Sequence, residues 1–222
     1  MINIAVDGPS GSGKSSLAKT ISRKLGILYL DTGALYRAIG YTVLRTVGDD
    51  FSEDQVCAML PSLSVDLQYD SGVQHVLVNG EDVSPFIRTQ SVAMAASRVS
   101  AFPQVRKFLL GLQRDIAARN DVIMDGRDVG TVILPDADVK IFLNAKPEVR
   151  AARRVGELTE KGEKADFETV LQEVLRRDHN DMTRAVAPLR QAEDAVLLDN
   201  SDLNEEETVQ VALDLIRSKV SL

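Results

Sequence analysis

The stretch from Asp7 to Lys19 reads DGPSGSGKSSLAK, and within it Gly8 to Ser15 fits G-x-x-x-x-G-K-[ST] in full. Residues of these types at this spacing do one kind of chemistry well: they hold a chain of phosphates. Successive backbone N–H groups must turn inward around the phosphates, which needs positive φ and leaves no room for Cβ atoms. Gly8, Gly11 and Gly13 supply that freedom. The Lys14 ammonium would reach the β- and γ-phosphates, and the Ser15 hydroxyl would ligate Mg²⁺. The loop Gly8, Pro9, Ser10, Gly11, Ser12, Gly13, Lys14, Ser15 and Ser16 is therefore expected to bind a nucleoside triphosphate.

What is done with the triphosphate depends on the rest of the chain. A guanine-reading switch would need an N-K-x-D motif after a late strand, and NAKPE (Asn144 to Glu148) is not one. A small-molecule kinase would need a second anionic site rich in arginine. Arg127 and Asp128 stand in GRD just past an apolar run, and Arg37 follows another run in DTGALYR. Between Arg150 and Arg190 lie nine of the 26 Lys and Arg residues, Lys161 among them. Arginine presents a planar fork to phosphate and can neutralise charge as a phosphoryl group moves. Arg127, Arg177 and Arg184 read as functional, whereas Arg150 and Arg190 read as members of a solvated helix face paired with Glu. Transfer of a phosphoryl group needs alignment and neutralisation more than covalent chemistry. The expected catalytic set is Lys14 with Arg153 or Arg154 from a mobile lid, and Asp125 acting on the metal through water. His75 and His179 have no metal-ligand spacing; His75 reads as a surface or cross-strand residue of the hairpin, and His179 as an ordinary residue of a helix among charged neighbours.

These side chains need a frame that brings them together. INIAVD (Ile2 to Asp7), ILYLD (Ile27 to Asp31), DVIMD (Asp121 to Asp125), VKIFL (Val139 to Leu143) and AVLLD (Ala195 to Asp199) are short apolar runs ending at turn signals, the pattern of buried parallel strands. Helical spacing follows from Lys14 to Leu25, stopped by Gly26, and again after Thr32, which could cap the second helix. The last helix runs from about Glu205 to Val220, with Asn204 and Glu207 in a capping-box arrangement. Strand, helix, strand, helix is the rhythm of an α/β sheet with right-handed crossovers. It breaks at SVDLQYDSGVQHVLVNGEDV, where two alternating patterns flank DSG, an antiparallel hairpin signal. Residues 51–87 are thus expected to form an inserted subdomain, and GELTEKGEKA (Gly156 to Ala165) a loop between two helices.

Composition bounds the rest. With 222 residues the chain can bury one large core without staples, and 44% hydrophobic with 27% charged residues is ordinary for a globular protein. The single Cys57 cannot make an internal disulfide and reads as a small buried apolar residue in a reducing cytosol. A net charge of −7 argues against a general nucleic-acid or membrane-surface binder. Neither a secretory leader nor a membrane span is expected.

The blocks DGPSGSGKSS, LDTGALYRA, IRT, DGRDVGTVILPDA, RRDHNDMTRAVAPL and VLLDNS, in this order, resemble the bacterial cytidylate kinases. The resemblance spans Asp7 to Ser201, and the hairpin insert matches the long-insert form of that family. It implies ATP- and Mg²⁺-dependent phosphorylation of CMP and dCMP to the diphosphates, in pyrimidine nucleotide metabolism. The implied architecture is a P-loop nucleoside-monophosphate-kinase fold. Its core (1–50 and 88–222) would hold a five-stranded parallel sheet and a lid at about 153–166, with the insert near the CMP-binding region. By the family pattern Arg37, Arg127, Arg177 and Arg184 would hold the CMP phosphate, Thr32 and Tyr36 would line that pocket, and Asp181 would take the sugar hydroxyls. Ser97, Arg106 and Asp128 would read the base. A carboxylate accepts from cytosine N4 and an arginine donates to N3 and O2, whereas uracil reverses that edge. Asp128 could instead orient Arg127, and the Ser97 hydroxyl could be satisfied within its own helix. The resemblance implies a cytoplasmic enzyme, and no coiled coil or large apolar stripe argues against a monomer. Two rivals stand beside this reading: a kinase for another small acceptor, and a nucleotide-binding regulatory protein whose insert holds a partner.

Overall fold

The structure, a computed structural model, describes residues 1–160 and 162–220; Lys161 of the basic stretch lies outside the described residues. The elements run β1 (Asn3–Asp7), α1 (Lys14–Leu25), β2 (Leu28–Asp31), α2 (Thr32–Thr46), α3 (Glu53–Met59), β3 (Val65–Asp70), β4 (Val73–Val78) and β5 (Glu81–Asp82). They continue with α4 (Gln90–Val99), α5 (Pro103–Ala117), β6 (Val122–Gly126), β7 (Val139–Asn144), α6 (Pro147–Glu160), α7 (Phe167–Thr183), β8 (Val196–Asp199) and α8 (Glu205–Lys219). Five strands form a parallel sheet in the order β2-β6-β1-β7-β8, as the apolar runs predict, and β3-β4-β5 form an antiparallel sheet. The chain divides into two compact units, one of residues 28–122 with Met1, the other of residues 2–27 and 123–222.

In the second unit, β1 and β6 are buried along nearly their whole length, because a parallel strand covered on both faces has no polar side to show. β1 pairs with β7 from Ile4↔Val139 to Asp7↔Phe142, so the chain leaves the sheet at Asp7 directly into the glycine loop. α1 buries Leu17, Ala18 and Ile21, and Gly26 ends it at φ 67 with its N–H on the Ser22 carbonyl. α6 and α7 meet through Ala151, Val170 and Val174, with Val155, Leu158 and Leu171 packed around them. That packing explains a departure from the sequence reading. The helix runs on through Gly156 to Glu160 instead of opening into a loop at Gly156, because Val155 and Leu158 face this cluster.

In the first unit, α2 packs on α4 so closely that a Cβ at Gly40 would lie 2.8 Å from the Ala96 nitrogen. Asp31, not Thr32, caps α2: its carboxylate accepts from the Ala34 N–H at 2.9 Å, and Thr32 is the first helical residue. The β3–β4 turn has Ser71 and Gly72 at φ 50 and 79, and the β4–β5 turn has Asn79 and Gly80 at φ 51 and 82. Paired positive φ values mark the tight turns that match strand twist. The second turn adds β5, a short third strand beyond the expected hairpin. Cys57 is half-buried rather than enclosed. No helix among the described residues is long and apolar enough to cross a membrane.

Candidate nucleotide-binding site

The second unit holds the glycine loop between β1 and α1. Gly8, Gly11 and Gly13 take φ 147, 75 and 90. At Gly8 the need is also steric, since a Cβ there would sit 2.0 Å from the Leu143 carbonyl oxygen on β7. Lys14 is buried at the first turn of α1, with Nζ donating to the Pro9 carbonyl at 2.6 Å. Burial pushes its pKa well down, the nearby Arg127 charge pushes it further, and Asp125, Asp7 and Asp181 pull against both. Ser15 Oγ donates to Asp125 Oδ2 at 2.8 Å, which joins the loop to the end of β6.

Asp7 anchors the segment after β6. Its two carboxylate oxygens accept from the Val129 and Gly130 N–H groups at 2.8 and 2.7 Å, at the start of a π-helical turn over Val129–Ile133. Burial pushes the Asp7 carboxyl up to about 6, against the pull of those two amides. Arg127 and Asp128 sit just before this turn. Arg127 Nε donates to Asp181 Oδ2 at 2.8 Å, and Arg184 Nη2 lies 3.5 Å from Asp128 Oδ1. Burial alone would raise Asp181, but Arg127, Arg177 and Arg184 together hold it below the usual carboxylate range. Arg184 follows α7, and its Nε donates to the carbonyl of Ala187, a non-glycine residue at φ 48. Thus Lys14, Ser15, Asp125, Arg127, Asp128, Arg177, Asp181 and Arg184 belong to one connected cluster of this unit.

The two arginines expected in a lid, Arg153 and Arg154, are both on α6. Arg153 donates to the Asn200 side chain at 3.2 Å and to its carbonyl at 2.8 Å. Arg154 makes an exposed pair with Glu157 at 3.0 Å. Arg150, read from sequence as a solvated helix residue, is 2% exposed. It donates to Ala145 O at 2.9 Å, to Ser10 O at 3.0 Å, and to both Asp178 oxygens at 3.1 and 2.5 Å. Arg190 is exposed, but it lies past the end of α7 and not on a helix face as the sequence reading had it.

The first unit carries Thr32, Tyr36, Arg37, Ser97 and Arg106. Arg37 and Arg88 both donate to Asp31 Oδ2, at 2.7 and 3.0 Å. Burial works to raise the Asp31 carboxyl, and the two guanidiniums outweigh it to leave the pKa lowered. Thr32 and Tyr36 are buried, and Arg106 stacks over the Tyr36 ring at 5.3 Å from its centroid while donating to Ser100 O at 3.0 Å. Ser97 is half-buried, and its carbonyl accepts from Ser100 Oγ. On β4, Gln74 Oε1 accepts from the Asp31 N–H at 2.8 Å, tying the antiparallel sheet to the arginine-bearing start of α2. His75 pairs with Asp82 across β4 and β5 at 2.8 Å.

Residues 4–218 match the sequence profile of the cytidylate kinases. The chain belongs to the cytidylate kinase family. The cytidylate kinase of Caldicellulosiruptor saccharolyticus is 48% identical over 96% of this chain and 95% of its own length. That of Mannheimia succiniciproducens is 45% identical over all of this chain and 98% of its own. The one from Carboxydothermus hydrogenoformans is 44% identical over 98% of each.

The geometry brings in residues that the sequence reading left out of the site. Asp31, Arg150, Asp178 and Asn200 are buried and hold polar contacts beside expected site residues, and the exposed Arg88 reaches Asp31 at 3.0 Å. Of these, Asp31, Arg88, Asp178 and Asn200 lie inside the blocks LDTGALYRA, IRT, RRDHNDMTRAVAPL and VLLDNS, whereas Arg150 lies in none, and its pairing with Asp178 joins residues 28 apart on two helices.

Proposed function

We infer that the chain transfers a phosphoryl group from ATP to CMP and dCMP, giving the diphosphates, in pyrimidine nucleotide metabolism. The observation that carries this is the glycine loop with the buried Lys14 at its end, joined through Ser15 and Asp125 to the end of β6, just after which Arg127 stands on Asp181 and Asp128 lies beside Arg184. A phosphate-gripping loop beside an arginine-rich pocket is what a donor triphosphate and an anionic acceptor need. The loop amides and Lys14 grip the donor phosphates, and Lys14 neutralises charge as the phosphoryl group moves. Arg154 needs to leave only an exposed pair with Glu157 to join it, whereas Arg153 would have to release Asn200.

The Ser15 hydroxyl and the Asp125 carboxylate, side by side at 2.8 Å, are the hard oxygen donors that Mg²⁺ prefers. Bound there, the ion would offset charge on the phosphates, with Asp125 acting through water. The acceptor is already a phosphate oxygen, so no general base is required. Arg37, Arg127, Arg177 and Arg184 are proposed for the CMP phosphate, Thr32 and Tyr36 for the pocket beside it, and Asp181 for the sugar. Ser97, Arg106 and Asp128 are proposed for the base. We take residues 51–87 as an insert near the CMP-binding region, and the enzyme as a cytoplasmic monomer.

A coupled ADP-release assay with ATP and Mg²⁺ tests this against CMP, dCMP, UMP, AMP and GMP in parallel. Fast, acceptor-dependent turnover with CMP and dCMP alone is expected. Equal rates with UMP would keep the kinase and remove the base-reading roles. Slow hydrolysis that ignores CMP would favour a regulatory protein instead.

A further inference from the structure

A glycine loop gives its amides the freedom to point inward, and by itself gives them no reason to stay there. In a trans peptide the C=O and the following N–H lie in one plane and point in opposite directions. A group that fixes a carbonyl on the outside of the loop therefore aims the next amide at the inside. Two loop carbonyls are held in this way by buried side chains from elsewhere in the second unit. Arg150 Nη1 donates to Ser10 O at 3.0 Å, which sets the Gly11 N–H. Asn200 Nδ2 donates to Ser12 O at 3.1 Å, which sets the Gly13 N–H.

Both holders are themselves fixed. The Arg150 guanidinium is locked by Asp178 on α7 and by Ala145 O at the end of β7. The Asn200 amide is oriented by Arg153, whose Nη1 reaches Asn200 Oδ1 at 3.2 Å, so the Nδ2 end is the one left facing the loop. Asn200 N–H in turn donates to Asn144 O at 2.9 Å, which pins its backbone to the end of β7. Both residues are nearly without solvent, at 2% and 4% exposed. The glycines they flank have no side chains in the way: a Cβ at Gly11 would meet Arg150 Cβ at 3.4 Å, and one at Gly13 would lie 3.7 Å from Asn200 Nδ2.

We propose that Arg150 and Asn200 are positioning residues for phosphoryl transfer, a two-point clamp that holds the Ser10 and Ser12 carbonyls outward and so presents the Gly11 and Gly13 amides to the donor phosphates. The clamp rests on the reading that this loop binds a nucleoside triphosphate. It touches no phosphate itself, and its effect is on how well the loop is organised before ATP arrives.

The test compares ATP binding by titration calorimetry, in the presence of Mg²⁺, for the full-length wild type, Asn200→Asp and Arg150→Lys. Asn200→Asp keeps the oxygen that Arg153 holds and turns a carboxylate oxygen toward the Ser12 carbonyl. Arg150→Lys keeps the charge opposite Asp178, but one ammonium nitrogen cannot stand at the separate positions from which Nε, Nη1 and Nη2 reach Ala145 O, Ser10 O and Asp178. The Kd for ATP is expected to rise about tenfold in each, the scale of one buried hydrogen bond left unmade. The KM for CMP should stay within about twofold of wild type, and the thermal midpoint should stay close to it. An unchanged ATP Kd in folded Asn200→Asp overturns the clamp. A parallel loss of ATP and CMP affinity that tracks a falling midpoint also overturns it, because those contacts would then serve only the fold. Should Arg150→Lys fail to fold, Asn200→Asp decides alone. A wild type that binds no ATP would remove the triphosphate reading itself, a result separable from a wild type that binds and variants that match it.

Discussion

Asp128 is 4% exposed at the head of the π-helical turn, with Arg184 3.5 Å away and Asp181 taking up Arg127 close by. A carboxylate in so little water is discriminating, because a ligand atom that cannot donate to it leaves it unsatisfied. Cytosine offers a donor at N4 where uracil offers an acceptor, and a mismatch of that kind can cost up to about 10⁴ in discrimination. Asp128→Asn should therefore shrink the ratio of kcat/KM for CMP over UMP by at least about tenfold. If the ratio holds at its wild-type value while overall activity falls, Asp128 serves its arginine neighbours and not the base. At this scale the sequence reveals the residues whose spacing is local. Lys14, Ser15 and their glycines announce themselves within a dozen positions. Arg150 does not, because the residue that makes it a buried ligand of the loop, Asp178, is a helix away. Without that partner in view, an arginine near glutamates on a helix reads as solvated.

The loop works only because two elements let it through. β1 and β7 run side by side, and the chain turns off β1 at Gly8 against the Leu143 carbonyl, 2.0 Å from where a Cβ would stand. An alanine there must either push β7 aside or move the first peptide of the loop, and the glycine's φ of 147 is itself unsuited to an L side chain. Gly8→Ala is accordingly expected to lower stability by about 3 kcal/mol or more and to abolish measurable ATP binding, read by urea unfolding and calorimetry. A folded Gly8→Ala protein with wild-type ATP affinity would mean that the strand ends separate easily. Element boundaries were legible where one signal dominates, as at Gly26 and at the Asn204–Glu207 box, which forms with both of its hydrogen bonds. They were misread where two signals compete. Asp31 and Thr32 can both cap a helix, and Asp31 takes the position while also binding Arg37 and Arg88. Gly156 looks like a helix stop, but burial of Val155 and Leu158 on α7 outweighs the entropy lost at one glycine.

The architecture of the whole chain was legible because parallel strands leave unbroken apolar runs, which mark four strands that are mostly buried and also β8, where only Leu198 of the four residues is buried. The division into units of residues 28–122 and 2–27 with 123–222 was not, since it depends on packing between segments a hundred residues apart. Folding of the whole chain also pays an electrostatic cost at one buried group. Asp7 has an ordinary pKa of 3.8 when unfolded and one of about 6 when folded, raised mainly by burial. The folded chain thus holds this proton more tightly than the unfolded chain does. Stability that Asp7 contributes below pH 3.8 is lost as pH rises through about 6, and a shift of about two units corresponds to about 3 kcal/mol. The ionised form is nevertheless the one that accepts from both the Val129 and Gly130 amides and so fixes the segment bearing Arg127 and Asp128. The site is held in shape by a charge that costs the fold. Asp7→Asn removes the titration while keeping the size of the side chain. The unfolding free energy of wild type minus that of Asp7→Asn, from urea titrations at several pH values between 4 and 7.5, should fall by up to about 3 kcal/mol across that range and level off above pH 7. A difference that does not change with pH would mean that Asp7 ionises in the folded chain as readily as in water. The Val129 and Gly130 amides and the Lys14 charge would then compensate fully for its burial.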